Sequence, residues 1–237
     1  MSHRDFGLLH ADLGRRAFLR RTGAAALGAS LPALWYPGCS DDALGSADRF
    51  DPNRPWWLQG NFAPVTDEVE ASNLEVRGAI PAALDGRYIR NGSNPADGES
   101  GHWFFGDGML HSVHLSDGRA VAYRNRYVQT GVLGGGLNPG GAPGGANNPS
   151  NVSAIFHAGK LLTSGEVGLP FEVTPNDLAT VGVYDFDGEL TQSFTAHPKI
   201  DPATGYMHFF GYWFFGDDLL LYHVADETGR VISTQGI

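Results

Sequence analysis

The chain has 237 residues, of which 42% are hydrophobic and 18% charged, and its formal net charge at pH 7 is −10. This length allows one large domain or two small ones, and the acidic balance disfavours nucleic acid and anionic membrane surfaces as partners, which leaves neutral or apolar ligands open. The single cysteine, Cys39, excludes an intramolecular disulfide and a cysteine-based zinc site.

The first 47 residues have the pattern of an export signal. Arg15-Arg16 is followed by Phe18-Leu19 and then by a weakly apolar stretch, residues 22–34, rich in Ala, Gly and Leu. That stretch is shorter than the roughly 20 apolar residues that span a membrane. Basic, apolar and small residues follow one another as in a signal peptide, and the arginine pair resembles the twin-arginine type. We therefore predict export to the periplasm or cell envelope, with an unstructured basic tail as the alternative.

Two cleavage points are open within this segment. Gly45-Ser46-Ala47 places small residues where signal cleavage needs them, and would leave residues 48–237 as the mature domain. Gly38-Cys39 would instead be the cleavage point of a lipoprotein with Cys39 lipidated, although the preceding Tyr36-Pro37 matches that pattern poorly. A peripheral membrane contact of the mature protein is also left open.

From Asp51 onward the sequence predicts short strands. The 33 glycines, 14 prolines and 11% aromatic residues favour β-rich runs joined by tight turns over a helical bundle. Turn signals recur at roughly 8–20 residues, which favours an all-β propeller, sandwich or barrel. The predicted turns are Ser116-Asp117-Gly118-Arg119, His157-Ala158-Gly159-Lys160, Asp185-Phe186-Asp187-Gly188, Asp201-Pro202-Ala203-Thr204-Gly205 and Asp226-Glu227-Thr228-Gly229.

An internal repeat favours the propeller among these architectures. Trp103-Phe104-Phe105-Gly106-Asp107 recurs 110 residues later as Trp213-Phe214-Phe215-Gly216-Asp217, and both copies run into a Gly-Arg turn. Repetition on this scale indicates a repeat architecture in which the two copies lie more than one blade apart. Chance similarity of two aromatic strands is the alternative.

Among the nine histidines, His197 is the best candidate for a metal ligand. His111 and His114 are three apart in a strand-like pattern, so they point to opposite faces and are interpreted as structural. His197 follows a predicted strand that Pro198 ends, and a side chain at a strand terminus is held firmly while it opens onto a cleft. A hydrogen-bonded turn histidine remains the alternative. Neither a phosphate-binding loop nor a nucleophile elbow is visible in the sequence.

Several short motifs occur in a fixed order between about Pro55 and Ile237. They are Asn61-Phe62-Ala63-Pro64-Val65, Gly78-Ala79-Ile80-Pro81, Leu84-Asp85-Gly86-Arg87-Tyr88-Ile89-Arg90-Asn91-Gly92, Phe105-Gly106-Asp107-Gly108-Met109-Leu110-His111, Tyr123-Arg124-Asn125-Arg126-Tyr127-Val128, Glu166-Val167-Gly168-Leu169-Pro170 and Thr195-Ala196-His197-Pro198-Lys199 with Asp201-Pro202. Each motif is weak alone, but the ordered set is specific. It resembles the carotenoid cleavage oxygenases, a family of carotenoid and stilbene dioxygenases that includes the retinoid isomerohydrolase.

The resemblance implies a seven-bladed β-propeller with a helical cap and with iron, Fe(2+), on the propeller axis. Four histidines from different blades hold that iron in the family, and His197 is similar to the first of them. Glu166 is similar to one of the glutamates that accept an imidazole N–H from another ligand and so fix its orientation. The implied reaction is cleavage of a C=C bond of a carotenoid, apocarotenoid or stilbene-like substrate with O2.

Two departures from the family pattern qualify these expectations. Ser93 stands where the family usually has proline, and we expect the loop to tolerate it. The second ligand of the family lies beyond a stretch like residues 222–237, so the resemblance covers the N-terminal blades of an incomplete propeller. His223 is no replacement, because its segment matches a strand before that ligand. We therefore expect the 237-residue chain alone to be inactive and poorly stable. A redox-neutral isomerohydrolase and a non-catalytic exported propeller module are the alternative functions.

Overall fold

Short antiparallel strands make up the regular structure of a computed structural model of the chain, which describes residues 50–134, 148–212 and 219–237. The strands are β1 (Glu70–Ser72), β2 (Gly86–Asn94), β3 (Asp107–Ser116), β4 (Arg119–Tyr127), β5 (Ser153–His157), β6 (Lys160–Ser164), β7 (Phe171–Val173), β8 (Thr180–Val183), β9 (Lys199–Ile200), β10 (Met207–Tyr212), β11 (Leu220–Ala225) and β12 (Val231–Gly236). Three 3-10 turns accompany them, at Trp56–Leu58, Gly60–Phe62 and Trp103–Phe105.

The strands form three four-stranded sheets. The first sheet has the order β1-β4-β3-β2, the second β5-β6-β7-β8 and the third β12-β11-β10-β9. Every pairing within them is antiparallel. Four-stranded antiparallel sheets of this kind are the blades of propellers. The all-β prediction is confirmed, and none of the three sheets closes on itself.

Two of the predicted turns are two-residue hairpins. Asp117 and Gly118 join β3 to β4 with φ values of 48° and 70°, and Ala158 and Gly159 join β5 to β6 with 50° and 77°. A pair of positive φ values matches the twist of the flanking strands, which explains why Asp-Gly marks such a turn. Alanine is less usual at the first position of such a turn, where Ala158 stands. Gly159 at the second position is the residue from which the sequence predicts this turn.

The core lies between neighbouring sheets in two clusters. One joins the second sheet to the third and contains Leu162, Leu169, Phe186, Leu190, Phe194, Met207, Phe209 and Ala225. The other joins the first sheet to the second and contains Leu110, Val128, Leu161, Phe171, Val173 and Leu178. Because side chains alternate between the faces of a strand, Leu161 and Leu162 of β6 contribute to different clusters.

The aromatic repeat has a different local structure from the one its sequence suggests. Its first copy begins as the exposed 3-10 turn Trp103–Phe105, and not as a strand. The second copy lies outside the described residues, as does the predicted export signal with Cys39. The strands that follow the copies, β3 and β11, belong to the first and third sheets. Within the described ranges, no helix is long and apolar enough to cross a membrane.

Two buried asparagines attach the segment before β1 to the first sheet. Asn125 is fully buried; its Oδ1 accepts the Val69 N–H at 2.6 Å and its Nδ2 donates to the Asp67 carbonyl at 2.9 Å. Asn94 binds both backbone groups of Val65 in the same way, at 2.7 and 2.6 Å. Each side chain therefore satisfies backbone groups of this segment, in addition to the bond from the Asn125 N–H to the Val69 carbonyl at 3.2 Å.

Replacing Asn125 with alanine should lower the free energy of unfolding by about 2 kcal/mol, because backbone groups lose their hydrogen bonds and the site is buried. Urea unfolding followed by tryptophan fluorescence measures this change. The control is Asn61→Ala at an exposed position, which should change stability by less than about 0.5 kcal/mol. Equal stability of the two variants would contradict the anchoring role of Asn125.

Candidate metal centre

His197 lies on a short connection between a buried segment and the first strand of the third sheet. Residues 193–196 are buried, and the side chain of Phe194 packs in the core cluster between the second and third sheets. His197 is exposed, Pro198 is buried and β9 begins at Lys199. The prediction that His197 ends a strand is therefore wrong. The strand begins after Pro198, and His197 lies before it. An exposed ring between two buried neighbours is firmly held at its backbone.

The backbone before His197 is attached to the end of β10. The Thr195 N–H donates to the Phe210 carbonyl at 2.8 Å. The Ser193 hydroxyl donates to the Tyr212 carbonyl at 2.6 Å and accepts the Tyr212 N–H at 2.8 Å. The His197 N–H donates to the Thr195 hydroxyl at 3.1 Å. Irregular backbone is thus hydrogen bonded up to the residue that carries the imidazole.

Gly211 permits this close approach. A Cβ atom at this position would lie 2.0 Å from the Ser193 carbonyl oxygen. Such a distance is far below any van der Waals contact, so only glycine fits without a backbone shift. The strand β10 and the segment that carries His197 are therefore in direct backbone contact.

The structure brings Glu166 next to this segment. Glu166 is half-buried in the bend that follows β6, and its Oε2 accepts the Ala196 N–H at 3.2 Å. Burial, the charge of Glu166 and a hydrogen bond to Glu166 together raise the pKa of the Tyr212 phenol. The carboxylate thus contacts the residue before the predicted ligand.

Three other histidines of the described ranges are bound to protein groups. The Nδ1 atoms of His111 and His208 lie 2.8 and 2.7 Å from the hydroxyls of Tyr123 and Tyr222, and His157 Nε2 lies 3.1 Å from the Gly205 carbonyl oxygen. Burial lowers the pKa of the His111 imidazole, and Arg90 contributes. His111 and His114 lie three apart on β3 and so point to opposite faces, as predicted.

His223 is buried on β11 and is not part of this region. Its Nδ1 lies 2.9 Å from the Thr234 hydroxyl, its ring stacks on Phe209 at 5.0 Å between centroids, and burial lowers its pKa. Its Nε2 has no hydrogen-bond partner among residues 50–134, 148–212 and 219–237. The lowered pKa and the unpartnered Nε2 both fit a neutral imidazole within the packed sheet.

The donor set allows His197 to serve as one metal ligand, and the described residues do not complete a site. The ring is exposed, and no described residue is hydrogen bonded to either of its nitrogens. The described part of the chain contains no group of three or more His, Cys, Asp or Glu side chains that could together hold a metal ion. Three surface grooves of about 250–410 Å³ have no lining residue from residues 193–200. A resident metal would need donors beyond those described.

Comparisons with known proteins relate the chain to one family of proteins. The family described as retinal pigment epithelial membrane protein (RPE65) matches residues 62–237. A carotenoid cleavage oxygenase of Mycobacterium tuberculosis is 40% identical over 190 residues, which cover 76% of this chain and 38% of that protein. A carotenoid 9,10(9',10')-cleavage dioxygenase of Arabidopsis thaliana is 37% identical over 217 residues, covering 76% and 39%. The chain therefore spans well under half the length of these curated relatives.

A solved structure supports the fold. The lignostilbene dioxygenase of Pseudomonas brassicacearum superimposes with a TM-score of 0.65 at 32% sequence identity, over 77% of this chain and 42% of that one. The match at this identity relates the three sheets to part of a larger protein of the same architecture.

Proposed function

The chain belongs to the RPE65 and carotenoid cleavage oxygenase family, and on that premise we propose that the complete protein is a non-haem iron(II) dioxygenase. Its reaction is cleavage of a C=C bond with O2. The observation that carries this proposal is the exposed His197 imidazole, on a hydrogen-bonded backbone, with the Glu166 carboxylate bound to the preceding residue. A rigid backbone behind an exposed ring is what a metal ligand requires.

His197 would supply one of the iron ligands. Imidazole is a suitable ligand for iron(II), and iron when bound supplies the oxygen chemistry while the protein orients the substrate and excludes water. Glu166 would stabilise the site through the Ala196 N–H and, as family resemblance implies, through the imidazole N–H of a further ligand. The remaining donors would come from parts of the protein that the described residues do not include.

The proposed substrate is an apolar molecule with a conjugated double bond. The relatives named above act, by their names, on carotenoids and on a lignostilbene. Both compounds carry conjugated C=C bonds and little charge. The net charge of −10 offers no attraction to an anionic substrate, which agrees with this class.

The test is metal analysis and product analysis of the complete protein under labelled O2. We expect one iron per protein and label in both carbonyl products from a carotenoid or stilbene. A redox-neutral isomerohydrolase would leave both products unlabelled, and absence of iron with absence of turnover would refute the proposal. The 237-residue chain is the control, because its described residues contribute a single predicted ligand, and we expect neither stoichiometric iron nor turnover from it.

We also propose that the N-terminal 47 residues export the protein by the twin-arginine route. Replacing both Arg15 and Arg16 by lysine should retain the protein in the cytoplasm, because this route reads the arginine pair. Fractionation of cells that produce the protein measures the outcome, with Arg4→Lys as a control outside the pair. Unchanged export of the double variant would contradict the assignment. Cys39→Ser separately tests lipidation, through loss of incorporated labelled fatty acid.

A further inference from the structure

We infer that Thr195 is a positioning residue for His197: its buried hydroxyl holds the backbone N–H of the residue that carries the imidazole. The His197 N–H donates to Thr195 Oγ1 at 3.1 Å. Thr195 is only 1% exposed, whereas His197 is exposed. This inference rests on the proposed role of His197 as a ligand, and it names a residue that sets the direction in which that ligand leaves the backbone.

The backbone of Thr195 is attached to two sheets. Its N–H donates to the carbonyl of Phe210, on β10 of the third sheet, at 2.8 Å. Its carbonyl accepts the hydroxyl of Ser164, the last residue of β6 in the second sheet, at 3.4 Å. Ser164 is buried, and its hydroxyl lies 2.8 Å from the Ser153 hydroxyl on β5. Because Thr195 and Ser164 are both shielded from water, the side chain of Thr195 starts from a defined point.

The hydroxyl of Thr195 closes a local turn with the amide two residues later. Threonine is branched at Cβ, so few values of its χ1 angle are open to it, and the orientation of the hydroxyl is restricted accordingly. The amide that lies between is also bound, since the Ala196 N–H donates to Glu166 Oε2 at 3.2 Å. The N–H groups of Ala196 and His197 therefore both have acceptors within the protein.

Pro198 restricts His197 from the other side. Proline has a fixed φ and no N–H, and it keeps the preceding residue out of the helical region of φ and ψ. Pro198 is buried, and β9 begins at the next residue. The backbone of His197 is thus held by a hydrogen bond before its Cα atom and by a proline ring after it. The Thr195 hydroxyl is the part of this arrangement that one substitution removes with little change of shape.

That substitution is Thr195→Val, because valine keeps the branched shape of threonine and lacks its hydroxyl. In the metal-free complete protein, hydrogen exchange of the His197 amide, followed by NMR, should become at least about fivefold faster, since one hydrogen bond is lost. Thr195→Ser keeps the hydroxyl and should stay within about twofold of the parent protein. The matched control is Thr163→Val, which removes a fully buried threonine hydroxyl that binds Ser150. This control should also leave the His197 amide within about twofold of the parent.

Two outcomes of the exchange measurement would overturn the inference. One is a His197 amide in Thr195→Val that exchanges within about twofold of the parent protein. The other needs no variant and so does not depend on whether a variant folds: a His197 amide that exchanges in the parent as fast as in an unstructured peptide of the same sequence has no bond to Thr195.

Iron retention tests the positioning role itself. In the iron-loaded complete protein, Thr195→Val should weaken iron retention about tenfold, and Thr195→Ser should restore it. Iron retention in Thr195→Val equal to that of the parent would overturn the positioning role. The exchange measurement requires neither iron nor turnover, so it can fail while His197→Ala still loses iron. Its failure is therefore distinct from failure of the proposed function.

Discussion

Replacing His197 with alanine in the complete protein is expected to lower iron retention and alkene cleavage at least about a hundredfold. This effect exceeds the roughly 10- to 100-fold loss that is typical when a residue hydrogen bonded to a ligand is removed. The physical reason is that the substitution removes the proposed imidazole ligand, and alanine offers no donor in its place. The ring is exposed and makes no hydrogen bond to a described residue, so the fold should be little affected. Iron per protein measures iron retention, O2 uptake measures cleavage, and the urea midpoint measures the stability of the fold.

The matched control for this substitution is His114→Ala. His114 lies on β3, is half-buried and was interpreted as structural. Its removal should leave iron content unchanged. If His197→Ala keeps its iron and its turnover while the urea midpoint also stays constant, His197 is not a ligand. A loss of iron in both variants would show a general loss of structure, which the midpoint would record.

Replacing Gly211 with alanine should lower the free energy of unfolding by about 3 kcal/mol or more. The added Cβ would lie 2.0 Å from the Ser193 carbonyl oxygen and 3.0 Å from its carbon, so the backbone must move on one side. The shift breaks the contact between β10 and the segment before His197, where Thr195 donates to Phe210. Urea unfolding gives the stability change, and iron content of the complete protein should fall with it.

Gly92→Ala is the matched control for Gly211→Ala. Gly92 also lies within a strand, β2, and an added Cβ there would meet nothing within 4 Å. Its substitution should leave stability unchanged or raise it by up to about 1 kcal/mol, because alanine reduces the entropy of the unfolded chain where the native conformation allows it. Equal stabilities of the two variants would show that the approach at Gly211 can relax without cost.

The sequence by itself determined the fold class, the hairpin turns and the family. Asp117-Gly118 and Ala158-Gly159 are two-residue turns because their backbone conformations are local properties of those residues. The ordered motifs identified the family, whose match extends over residues 62–237. His197 stood out through its place before Pro198, but its predicted role as a ligand came from the resemblance of residues 195–199 to a family motif. The aromatic repeat predicts a strand in each copy, but the first copy begins as a 3-10 turn.

The tertiary structure decided which groups surround His197. Glu166 reaches Ala196 across 30 residues and Ser193 reaches Tyr212 across 19 residues, contacts that no local pattern encodes. Gly211 has an ordinary place in a strand sequence, and only the approach of Ser193 shows why it must be glycine. Turns and strand periodicity follow from φ, ψ and side-chain alternation within a few residues. Contacts around the candidate ligand follow from how the second and third sheets pack, which depends on the buried side chains of both.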